Sequence, residues 1–141
     1  MKSFLILILA VGSTVFAADK TDKELVREAV EDYVLGVYNV QPERIKRSVH
    51  ADMTKIGYYE RDGEYREIPM TFQQLVKLAG NWNKDGSRAN KDSIKEITIF
   101  EVMDKTASAK VVAEWGQDYF HLIKEDGNWK ILHVLWQSIP K

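Results

Sequence analysis

The sequence predicts an α+β fold: a cone-shaped, curved antiparallel sheet with three helices, all from the N-terminal side of the chain, packed on its concave face. Two observations carry this. Helical patterning dominates before residue 80, whereas four long strand-like stretches follow it without interruption, in the order α-α-β-β-α-β-β-β-β. Three helices cannot cover one another's apolar stripes, and consecutive strands make an antiparallel sheet with one face in need of cover, so each supplies what the other lacks. Gly57 and Gly116 fall where bends or bulges would curve that sheet. A curved sheet closed by a long helix leaves a cone, whose mouth is the natural ligand site.

The first 17 residues stand apart from this domain. Lys2 is followed by an unbroken apolar run of eight residues, FLILILAV, then Gly12, Ser13 and Thr14, with Val15 and Ala17 at −3 and −1 of a cleavage site. That is the pattern of a secretory signal peptide. The run falls well short of the roughly 20 residues that cross a bilayer, so no membrane span is expected. The expected organisation is a leader over 1–17, a mature protein starting at Ala18, and one domain over 18–141. The destination is the periplasm or the extracellular space of a bacterium.

The helices come first. Thr21 and Glu24 have capping-box spacing. Beyond them Leu25, Val26, Ala29, Val30, Tyr33, Val34, Val37 and Tyr38 form a two-residue-wide apolar stripe over four turns. Pro42 suits the first turn of a short second helix carrying Ile45 and Val49 and ending near residues 50–52. A strand over 53–59 turns at Asp62-Gly63 into a second over 65–68, which Pro69 stops. Thr71 and Gln74 open a third helix with Phe72, Leu75, Val76 and Ala79 inward. A polar loop over 80–92 holds Trp82 as its apolar anchor, and strands follow over 94–103, 107–115, 119–124 and 129–137, with an Asp126-Gly127 turn joining the last two.

Composition narrows the chemistry. Of 141 residues, 20 are basic and 21 acidic; losing Lys2 with the leader leaves 19 against 21, a net −2. No basic excess points to nucleic acid. Without cysteine there are no disulfides, no thiol catalysis and no Cys-based zinc site. His50, His121 and His133 form no H-x-H or H-x-x-x-H pair, so no metal is expected. No nucleophile elbow, phosphate loop or paired-carboxylate motif is present, and no cofactor is implied.

Three stretches carry a family resemblance: Asp32-Tyr33-Val34 in the long helix, Ser48-Val49-His50-Ala51-Asp52 at the helix-to-strand step, and the run from Tyr119 to Ile131 with its Asp126-Gly127-Asn128-Trp129-Lys130 turn. Over residues 21–137 the chain resembles the nuclear transport factor 2-like (cystatin-like) superfamily, and within it the putative lumazine-binding group. The resemblance implies the cone fold and leaves the chemistry open, because the superfamily holds isomerases, dehydratases, hydrolases and non-enzymatic adaptors. In its ketosteroid isomerase branch a helix tyrosine, a late-strand acid and a first-strand aspartate base do the work. These positions fall here on Tyr33, Tyr119 and Tyr58, and a phenol cannot replace a carboxylate base near neutral pH.

Tyr33, Tyr58, Tyr119, His121 and Trp136 are therefore the candidate pocket residues. A strict two-residue turn puts Tyr119, His121, Leu132, Val134 and Trp136 on one face of the last hairpin, taken as the inward one. The expected function is non-catalytic binding of a small apolar or aromatic molecule. The alternative is an isomerase, dehydratase or hydrolase of the ketosteroid isomerase or polyketide cyclase type using pocket Tyr and His groups. Apolar residues on both sides of the late strands imply a homodimer through the convex sheet face.

Overall fold

The computed structural model describes residues 19–140; the expected leader over 1–17 and cleavage before Ala18 lie outside them. Among the described residues the chain forms α1 (Asp22–Tyr38), α2 (Pro42–Ser48), β1 (Val49–Arg61), β2 (Glu64–Met70), α3 (Phe72–Ala79), β3 (Lys95–Val102), β4 (Thr106–Ala113), β5 (Gly116–Glu125) and β6 (Asn128–Gln137). The strands form one curved, unclosed sheet in the order β2-β1-β6-β5-β4-β3. Every neighbouring pair is antiparallel except β1 and β6, which run parallel. None of the described helices is long and apolar enough to cross a membrane.

Local chemistry explains most boundaries. Thr21 accepts from the Glu24 backbone N–H while Glu24 accepts from that of Thr21; Thr71 and Gln74 do the same at α3. Asp62-Gly63 and Asp126-Gly127 take positive φ at both positions, the conformation that matches a two-residue turn to the twist of its strands. Asp32 on α1 accepts from Arg44 and Arg47 at 2.7 Å and so clamps α2 to α1. The long loop is pinned by Asn83, which donates to the carbonyls of Tyr38 and Ala89 and accepts from the amides of Arg88 and Ala89. The core lies between α1 and the concave face, where Val26, Val30, Val34, Ile45, Val111, Phe120, Leu122 and Ile131 are buried.

Four expectations need correction. The helix-to-strand step comes at once, with Val49 already in β1. Pro69 does not stop β2, because β2 is an edge strand and its outer side needs no ladder donor. Gly57 is no bend: it sits in regular pairing with Ile68 and Trp136, and a Cβ there would lie 2.1 Å from the Trp136 indole. Its bare backbone is the seat of that ring.

The fourth correction concerns the last hairpin. A bulge in β6 leaves Leu132 without a partner, so Leu122 faces Ile131 but His121 faces His133. One extra residue reverses which β5 side chains accompany Trp136. Asp118, Phe120 and Leu122 turn inward, whereas Tyr119 and His121 lie on the opposite, exposed face.

Candidate functional site

At the inner end of the cone, β1 contributes Lys55 and Gly57, β5 Asp118, β6 Trp136 and α1 Tyr33. Lys55 is buried, and its ammonium donates a short hydrogen bond to the Tyr33 hydroxyl and stands 3.4 Å from Asp118 Oδ1. The other Asp118 oxygen accepts from Trp115 Nε1 at 2.6 Å. Lys55 Nζ also lies 5.2 Å from the Tyr33 ring centroid and 5.5 Å from that of Trp136, within reach of the negative faces of both rings.

Above this polar floor the walls are apolar. A cavity of about 100 Å³ is bounded by Val37, Leu75, Leu78, Trp82, Trp115 and Trp136, with Tyr33, Lys55 and Met70 completing it. Trp82 stacks on Tyr38 at 6.0 Å and meets Trp115 edge-on at 5.4 Å, which holds the rim. The Tyr38 hydroxyl ties the same rim by donating to the Ile94 carbonyl and accepting from the Glu114 amide. Trp136 Nε1 is buried without a partner. That edge of the indole packs on the bare backbone of Gly57, and a buried donor left unpaired costs about 1–3 kcal/mol.

The electrostatics follow from burial. Desolvation lowers the Lys55 pKa below that of an ordinary lysine, although the Asp118 carboxylate pulls the other way. The Tyr33 phenol is pushed well up by burial and then by the charge of Asp118. The site is thus a donor-rich floor under a ring-lined slot, suited to hold an acceptor oxygen or nitrogen of a planar molecule. Among the described residues, no three His, Asp or Glu side chains converge where a metal ion would sit.

The five sequence-predicted residues divide between the two faces. Tyr33 and Trp136 line the cavity. Tyr58, Tyr119 and His121 are on the outer face. Tyr58 donates to Glu67 at 3.0 Å, and Tyr119 accepts from Gln117. His121 meets His133 edge-on at 6.0 Å, and His133 is hydrogen-bonded to Thr54 at 2.6 Å. An open groove of about 1080 Å³ is lined by Thr54, Lys55, Tyr119, His121 and His133 together with the β2–α3 corner. Sequence reasoning did not single out Lys55, and it considered Asp118 only as a partner for His121. The available signal was parity: Met53, Lys55 and Gly57 alternate on one side of β1.

Comparison with known proteins places these features. The family model described as putative lumazine-binding matches residues 21–137. No curated protein matches the chain. Among solved structures, it is similar to an NTF2-like protein of unknown function from Silicibacter pomeroyi (17% identity, 85% of this chain and 100% of that one, TM-score 0.66). A second from Methylobacillus flagellatus is 21% identical over 84% of this chain and 93% of that one, with TM-score 0.63. A ketosteroid isomerase-like protein from Erwinia carotovora is 14% identical over 86% and 100%, with TM-score 0.57. At these identities the structural matches show a nuclear transport factor 2-like fold and no more, and the family match shows membership: the chain belongs to the putative lumazine-binding family.

Proposed function

We propose that the protein is an exported, non-catalytic binder of a small planar ring molecule, held in the concave cavity between Trp136 and Trp115 over the Lys55–Asp118–Tyr33 floor. The observation that carries this reading is a cavity walled by Trp82, Trp115 and Trp136 over the buried Lys55–Asp118 pair. The family's name points to a lumazine, a flat heterocycle with a carbonyl oxygen that would accept from Lys55 while its rings contact the indoles. Titrating the protein with lumazine should change tryptophan fluorescence, and Trp136→Phe should remove most of that change. An unchanged spectrum at saturating lumazine would exclude this ligand from the cavity. Export is tested separately: the intact mass of secreted protein should correspond to a chain beginning at Ala18.

A proton-transfer enzyme is the second reading. It is favoured by Asp118, one residue from the position that the isomerase pattern lays on Tyr119 and joined to Tyr33 through Lys55. Against it, both groups converge on an ammonium rather than on open space, so the floor is occupied by its own cation. Binding remains the better account.

A further inference from the structure

We propose that Lys55 is a carbonyl-capturing residue, and that the cavity holds aldehydes or ketones as an iminium on Lys55 Nζ. This rests on the reading of the concave cavity as the ligand site and goes beyond it, because the ring carbonyls of a lumazine are amide-type and form no iminium. Two features of the geometry support it.

First, Lys55 is the lysine buried among the described residues, and its side chain borders the cavity. Burial lowers its pKa although Asp118 opposes the shift, so a larger share is the nucleophilic amine than on a surface lysine. Second, groups able to handle the protons stand beside it. Asp118 Oδ1 is 3.4 Å from Nζ, and the Tyr33 hydroxyl is hydrogen-bonded to Nζ. Trp82, Trp115, Leu75 and Leu78 limit the water that would hydrolyse the product.

The chemistry balances without an added reagent. Asp118 takes one proton from the Lys55 ammonium, and the amine lone pair attacks the carbonyl carbon while the carbonyl π pair moves to oxygen. A second nitrogen proton passes to that oxygen through the Tyr33 hydroxyl, giving a neutral carbinolamine. Asp118 returns its proton to the hydroxyl, which leaves as water as the nitrogen lone pair forms the C=N bond. The products are one water and a protonated iminium facing the Asp118 carboxylate, which replaces the original ion pair.

The test uses benzaldehyde as the probe. The whole protein is incubated with it and sodium cyanoborohydride near neutral pH, then analysed by intact mass and peptide mapping. The expected result is one benzyl group per chain, located on Lys55 ahead of every exposed lysine, and lost in Lys55→Arg. Mapping of the wild-type chain decides the matter by itself if that variant does not fold. No adduct, or adducts confined to exposed lysines, would overturn the proposal. Benzyl alcohol, which lacks the carbonyl, separates capture from binding. A tryptophan fluorescence response to it without a Lys55 adduct removes carbonyl capture and leaves the binding site standing. No response to either compound removes both.

Discussion

Lys55 shows how one side chain can invert the pattern of its strand. On β1, Ile56 and Tyr58 read as the buried side and Lys55 as the wet one, yet Lys55 is buried while Ile56 and Tyr58 are 38% and 39% exposed. Two neighbours make the inversion possible: Asp118 compensates the charge, and Gly57 clears the space that Trp136 fills. A buried ion pair stabilises little against an apolar pair of the same shape, but removing one partner leaves a bare charge and costs about 3–5 kcal/mol. Asp118→Asn should therefore destabilise the fold by about 3 kcal/mol in urea denaturation, and adding Lys55→Met should recover much of the loss. The pH dependence has a definite sign. Between the lowered folded pKa of Lys55 and the ordinary 10.5 the unfolded chain holds a proton that the folded chain releases, so this residue makes stability rise with pH in that window. A neutral effect of Asp118→Asn would mean that Lys55 does not depend on that carboxylate.

The single elements were the most legible part of the sequence, because their signals are local. Both capping boxes and both Asp-Gly turns formed where the spacing placed them. The β6 bulge at Leu132 and the parallel pairing of β1 with β6 left no such signal; the pairing joins residues about 80 positions apart. With the bulge went the face assignment of Tyr119 and His121, whereas Tyr33 on the α1 stripe and Trp136 did reach the cavity. The α1 helix carries a prediction of its own. Burial pushes Tyr38 up to about 12, against the Glu114 amide that donates to its hydroxyl, and pushes Tyr33 well above the ordinary 10 with help from the Asp118 charge. Unfolded phenols ionise near pH 10, so these two favour the folded state fully below that pH. Their contribution is lost as pH rises through 10 and past about 12 for Tyr38. Urea midpoints should fall steeply above pH 10, and Tyr38→Phe should flatten the fall. A wild-type midpoint constant from pH 10 to 12 would contradict the burial of both hydroxyls.

For the whole molecule, the outer face of the sheet carries the prediction about association. Ile56, Tyr58, Tyr119 and Leu135 come from β1, β5 and β6, which are adjacent strands, and Tyr119 pairs directly with Leu135. They form an apolar patch opposite the cavity, with Leu135 half exposed at 50%. Patches of this kind on an open sheet mark association surfaces, and the same patch on two identical chains suits a two-fold contact. We therefore predict a homodimer through this face. Light scattering at micromolar concentration should give the mass of two chains, and Leu135→Lys should give the mass of one. Because Leu135 points away from the Lys55 floor, the substitution should leave the lumazine response of Trp136 in place, which separates loss of association from loss of the fold. A wild-type mass of one chain would show that the patch lacks the area or fit for self-association; roughly 800 Å² per partner is the usual requirement for a stable contact. It would leave the outer groove, with Tyr119, His121 and His133, open to solvent.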